Sequence, residues 1–178
     1  NAIGLALSTA YLAWGAAAQA HVQGVAAESL AARGILSERV LVTPTAFNSV
    51  AWRVVVMQRE SYLEGFYSLL DRERAIAFDR FDRGAALEAE LRGNDAYERI
   101  AAFSHGFYAL RQEGQRVLIS DLRMGQEPAY TFTFAIAERA SRAVPLAQPE
   151  QLGRRPDAAR LLPWLGRRIG GDPAPPPR

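Results

Sequence analysis

The stretch FSHGFYALRQEGQRVLISDLRMG, residues 103–125, constrains the fold more than any other part of the chain. Two apolar-rich runs flank Glu113-Gly114, so the stretch predicts strand, tight turn, strand. It closes on an acid-and-arginine corner, Asp121-Leu122-Arg123. An earlier segment echoes it. GFYSL at 65–69 recurs as GFYAL at 106–110, and Arg74, Ile76 and Asp79 then match Arg116, Leu118 and Asp121. The echo predicts one hairpin used twice, with a one-residue change in its turn. It names no reaction.

Other strands surround this unit. Val40–Val42 predicts a short strand, broken by Thr43-Pro44-Thr45 because proline restricts itself and its predecessor. Val50–Arg59 predicts a longer one, with Val50, Trp52, Val54 and Val56 on one face and Ala51, Arg53, Val55 and Met57 on the other. Arg53 reads as an arginine on the solvated face of a half-buried sheet; if buried it requires a carboxylate partner. AYTFTFAIAE, residues 129–138, alternates cleanly and predicts one strand. Gly84–Arg92 predicts a short amphipathic helix, and Asn94 caps a second helix running to Phe103. From Val144 onward prolines loosen the chain. A helix at Asp157–Arg168 then offers Leu161, Leu162, Trp164, Leu165 and Ile169 as a docking face, and GGDPAPPPR reads as a polyproline-like or disordered tail.

The expected fold is α+β: a long N-terminal helix, a mostly antiparallel sheet of six or seven strands built around the repeated hairpin, and short covering helices. The division is 1–34 for the helix and connector, 35–142 for the α+β domain, and 143–178 for the proline-rich extension. With 178 residues the chain holds one domain, or one domain and an appended helix.

Residues 1–27 carry no formal charge. Ile3, Leu7, Tyr11 and Trp14 share a helix face, and Ala16, Ala20 and Gly24 form a ridge of small residues. Two readings stay open: a membrane span over residues 2–20, or a buried helix of a soluble protein. Arg33 and Gly34 mark the helix end.

All 21 basic residues are arginine, yet the net charge is only +2. The arginines are scattered among acids rather than drawn into a stripe, which argues against a nucleic-acid partner. Without cysteine there is no disulfide, thiolate zinc site or cysteine nucleophile. Phosphate-binding glycine loops, GxSxG and HExxH are also missing. The two histidines, His21 and His105, are far apart in sequence. His21 reads as a helix-surface residue and His105 as a helix cap. Asp121 and Arg123, two apart on a strand, point to one side, where they pair or face a ligand. Asp79 and Asp82 occupy the matching corner of the echo. Two such corners converge if the hairpins pack around a pseudo-twofold axis, and a carboxylate cluster of that kind holds a hard cation or does acid–base work.

Taken together, LALSTAYLAW, TPTAFNSVAWRVVVM, YLEGFYSLLD, FSHGFYAL, ISDLRMG and TFTFAIAER resemble the C-terminal half of the YdjM-like membrane-bound metal-dependent hydrolases, over about residues 5–140. The strongest marks are Pro44, Asn48, Trp52, Arg53, Gly65, Tyr67, Gly106, Tyr108 and the Asp121-Leu122-Arg123 trio. The resemblance implies an extramembrane domain of a bacterial inner-membrane hydrolase. It implies that a divalent metal is held by an N-terminal half absent from this sequence, and that the upstream transmembrane helices of the same protein are its partners. It makes residues 2–20 the last span, and Arg33 and Arg39 lean the domain toward the cytoplasmic side. Asp121, Arg123 and His105 are then the catalytic candidates; Asn48, Trp52, Arg53, Tyr67 and Tyr108 are substrate-contacting or structural. The alternative is a non-catalytic module whose sheet face binds a lipid or a protein.

Overall fold

A computed structural model describes residues 2–139, 142–153 and 157–178. Among these, helix α1 (Ala2–Ala31) leads into a four-stranded antiparallel meander, β1 (Arg39–Pro44), β2 (Ala51–Met57), β3 (Ser61–Ser68) and β4 (Phe78–Asp82). Two helices follow, α2 (Ala85–Glu88) and α3 (Asp95–Phe103). A second four-stranded antiparallel sheet has the order β10-β9-β6-β5, from β5 (Tyr108–Glu113), β6 (Arg116–Asp121), β9 (Thr133–Arg139) and β10 (Ala143–Gln151). A small ribbon, β7 (Gly125–Gln126) and β8 (Ala129–Tyr130), sits between β6 and β9 in the chain, and α4 (Ala158–Ile169) comes last.

Alternation along the strands decides the layers. Trp52, Val54, Val56, Leu63 and Tyr67 face α1, where they bury Ala18, Val22, Val25, Ala26 and Leu30. The opposite face of that sheet turns Val55, Met57 and Tyr62 toward Ala109, Leu122 and Tyr130. The outer face of the second sheet carries Leu110, Val117, Ile119 and Ile136 against Ala96, Tyr97 and Ile100 of α3. The order is therefore helix, sheet, sheet, helix. Each buried Val or Leu in these layers contributes roughly 1.5–3 kcal/mol.

The α+β class and the long leading helix are as expected. The six or seven strands of one sheet are instead divided into sheets of four, four and two. The echo is not one hairpin used twice. In the first copy the strand runs through the motif and ends at Ser68, and Gly65 pairs with Phe78 across a nine-residue excursion from Leu69 to Ala77. In the second the strand starts after the glycine, and Tyr108 pairs with Asp121 across Gly114-Gln115. The two glycines serve different ends. A Cβ on Gly65 would come within 2.5 Å of Ile76 Cγ2, whereas Gly106 adopts φ +80° beyond the end of α3.

Residues 129–138 split into β8 and β9, so Tyr130 faces the inter-sheet layer while Phe134 and Ile136 face α3. The proline-bearing segment after Val144 is an edge strand with a register shift between Pro145 and Glu150, which tolerates the missing donors. The helix expected at 84–92 closes early, at Glu88. On α4, Leu162 faces solvent, while Trp164 and Leu165 pack against Phe66. The caps at Asn94 and Gly34 are as read: Asn94 Oδ1 accepts from the amides of Ala96 and Tyr97, and Gly34, at φ +62°, ends α1.

Helix α1 is two things in sequence. Its second half buries one face, through Ala18, Val22, Val25, Ala26, Ser29 and Leu30, and exposes the other. Its first half stands away from the domain as far as Trp14, with Ile3 78% and Leu12 71% exposed, and the Trp14 indole N–H donates to Ser49 Oγ at 3.2 Å. The face toward the sheet runs through Ala18 and Val22, while Ala16 and Ala20 point away. No described helix is long and apolar enough to cross a membrane.

Candidate functional site

The expected corner at Asp121 and Arg123 is a closed pair. Arg123 Nη2 lies 2.7 Å from Asp121 Oδ2, Arg123 Nε lies 3.0 Å from Oδ1, and the Arg123 amide donates to Oδ1. The guanidinium stacks on Phe103, 4.8 Å from the ring centre. Asp121 is 1% exposed and shapes the turn that leaves β6. Asp79 and Asp82 do not converge with it: Asp79 binds Arg178, and Asp82 Oδ1 accepts from the Gly84 amide.

His105 is solvent-exposed at φ +53°. Its amide donates to Ala102 O and the Gly106 amide to Ala101 O, the double bond pattern that ends a helix in a left-handed residue. His21 is exposed beside Tyr67, ring centres 6.0 Å apart. Among the described residues no cluster of three or more His, Cys, Asp and Glu could hold a metal ion.

The remaining candidates are fixed by packing. Asn48 ties the β1–β2 loop, donating to Thr45 Oγ1 and accepting from the amides of Val50 and Ala51. Trp52 donates to Ser49 O. Tyr67 is buried against α1; burial, then the neighbouring Asp71, raises its pKa. The Tyr108 hydroxyl sits among Tyr97 (2.9 Å), Glu88 (2.9 Å) and Arg83 (3.1 Å). Burial, helped by Tyr97, pushes that hydroxyl above the tyrosine range.

Arg53 is the exception. It is 3% exposed, not solvated, and it anchors a polar cluster between the two sheets. Its Nε and Nη2 each lie 2.6 Å from Glu64 Oε2, and its Nη1 donates to Leu122 O at 2.6 Å. Glu64 Oε1 receives Arg178 Nη1 at 2.7 Å and the Glu127 amide at 3.3 Å. Glu127 Oε1 receives Arg111 at 2.8 Å, and its Oε2 receives the Tyr62 hydroxyl at 2.5 Å. The Tyr62 and Tyr130 oxygens are 3.4 Å apart. Since Tyr62 spends its hydrogen on Glu127, Tyr130 is the donor between them.

Burial, then the nearby Tyr130 and Glu127, drives the Tyr62 pKa far above the usual tyrosine range. Burial and the Glu64 charge do the same to Tyr130. Both phenols stay protonated, and all four carboxylate oxygens of Glu64 and Glu127 accept hydrogen bonds. The cluster therefore holds donors and ion pairs but no free base. Beside it lies a cavity of about 260 Å³ lined by Tyr62, Arg111, Ser120, Tyr130, Thr133 and Leu152.

Composition and alternation missed most of this cluster. The available signal was Glu64, a lone acid in the strand YLEGFYS, on the neighbouring strand to an arginine that needed one. Glu127 and Arg178 gave none, because loop and tail residues carry no periodicity. No family model, curated protein or solved structure matches this chain.

Proposed function

We propose that this chain is a non-catalytic α+β binding module held at a membrane by the free first half of α1. The observation that carries the reading is the exposure of Ile3, Leu5, Leu7, Tyr11, Leu12 and Trp14 on a helix half with no charged residue. Those side chains point to several sides of the helix. An interfacial helix would keep one polar face; a helix apolar all round seeks immersion, in acyl chains or among other helices. The free segment is about 20 Å long at 1.5 Å per residue, less than the roughly 30 Å of a hydrocarbon core. It enters the bilayer or packs against transmembrane helices without crossing alone. Arg33 and Arg39, just beyond this helix half, support a lean of the domain toward the cytoplasmic side of an inner membrane.

The closed polar cluster supports a binding rather than a catalytic role. A domain of a YdjM-like hydrolase is compatible with the same arm, provided that the metal ligands come from other residues. Flotation with vesicles of phosphatidylethanolamine and phosphatidylglycerol tests the anchoring. The chain should float, and the triple variant Ile3→Gln, Leu7→Gln, Leu12→Gln should stay at the bottom with its melting unchanged. A wild-type chain that remains below the lipid sinks the proposal.

A further inference from the structure

The tail that follows α4 is docked. Trp164 Nε1 donates to Ala174 O at 2.9 Å, and Asp172 Oδ1 accepts from the Ala174 amide. Pro176 is buried. Arg178 then enters a slot on the first sheet. Its Nη1 reaches Glu64 Oε1 at 2.7 Å and Glu127 O at 2.9 Å, its Nη2 reaches Asp79 Oδ2 at 2.6 Å, and its guanidinium lies 4.7 Å from the centre of the Phe81 ring. Open space of about 880 Å³ and 540 Å³ borders the tail on its two sides, so it crosses a trough as a strap and does not fill a core.

The parts have a recognisable physics. Prolines pre-order an extended segment and remove its donors, so a receptor grips it through carbonyls and ring faces. Here an indole N–H takes a carbonyl, and aromatic Trp164 and Phe81 stand at the two ends. The arginine fork spans two carboxylates and a carbonyl at once, with a ring beneath it. A lysine ammonium cannot reproduce that planar, divided contact. Burial opposes the charge on Arg178, but the hydrogen bonds to Glu64 and Asp79 outweigh it and raise the pKa of the guanidinium.

We propose that this trough is a receptor for extended, proline-rich segments bearing an arginine, and that residues 172–178 are its resident occupant, displaceable by such a segment from another protein. An intramolecular occupant competes through its high effective concentration, so the seat is masked until the tail is weakened or a better segment arrives.

The test is fluorescence anisotropy with a labelled peptide DPAPPPR, the sequence of residues 172–178, against the full chain. The Arg178→Ala chain should bind it at least tenfold more tightly than wild type does. Adding Asp79→Asn to that variant should remove the gain, and a peptide ending in lysine should bind at least tenfold more weakly. Equal affinity for wild type and Arg178→Ala, or indifference to Asp79, overturns the proposal. So does peptide-induced dimerisation in place of one-to-one binding, since the tails would then be exchanged between copies. Were Arg178→Ala not to fold, the wild-type chain decides the matter: millimolar peptide must displace the tail and shift the Trp164 emission, and an unchanged spectrum overturns the proposal.

Discussion

Arg53 on β2 and Glu64 on β3 meet along the diagonal between the two strands, where Val55 pairs with Glu64 and Arg53 with Phe66. Their side chains are 4% and 0% exposed. Two charges so deeply placed are costly to desolvate, and their attraction repays this only while both are present. Glu64→Leu alone should cost about 3–5 kcal/mol because it strands the buried Arg53 charge, and Arg53→Met less, because Arg178 still pairs with Glu64. The double variant should cost clearly less than the two single losses added together. Urea unfolding of the four chains gives the coupling; strict additivity would mean that the two residues act independently.

The buried phenols set an alkaline limit on stability. The folded-state pKa values of Tyr62 and Tyr130 lie above the usual tyrosine value, chiefly through burial. Below about pH 10 the phenols are protonated in both states and their hydrogen bonds are fully present. Above it the unfolded chain releases protons that the folded chain retains, so stability falls as pH climbs from about 10 toward the folded-state values. Tyr62→Phe should be less stable near pH 7 by about 1–2 kcal/mol, through the lost bond to Glu127. It should also lose stability less steeply than wild type between pH 10 and 11. Parallel slopes would mean that Tyr62 does not titrate on unfolding.

Asp121→Asn separates structure from chemistry at the corner that closes β6. Asp121 accepts the Arg123 guanidinium and amide while almost fully buried. The neutral amide keeps the shape but loses the ion pair and turns donors toward donors. We expect a loss of about 1–3 kcal/mol in thermal or urea unfolding, typical of a buried charge-assisted bond. A variant as stable as wild type would mean that Asp121 serves function rather than the stability of the fold.

The contrast between what was legible and what was not follows from physics. Caps and periodic faces are local, so Asn94, Gly34 and the two faces of β2 could be read directly. The split of 129–138 into β8 and β9 could not, since alternation continues across the break. The GFY echo misled because identical letters met different needs. At Gly65 the absent Cβ lets Ile76 and Ala77 approach, and at Gly106 it permits a left-handed backbone. The polar cluster was hidden because Arg53, Glu64, Glu127 and Arg178 come from two strands, a loop and the tail. Only tertiary packing unites them.

His105 offers the sharpest single test of cap against catalyst. It occupies the left-handed position that ends α3, at φ +53°, where any side chain crowds its own backbone and glycine does not. Its amide and that of Gly106 close the helix through Ala102 O and Ala101 O, bonds that glycine makes equally well. Removing the side chain therefore relieves strain of about 1 kcal/mol and sacrifices no side-chain hydrogen bond among the described residues. Greater freedom of glycine in the unfolded chain returns part of that gain. His105→Gly should raise the unfolding free energy by a few tenths to about 1 kcal/mol, whereas His105→Val, β-branched at the same φ, should lower it. A His105→Gly chain that is markedly less stable would show that the imidazole makes a contact beyond the cap.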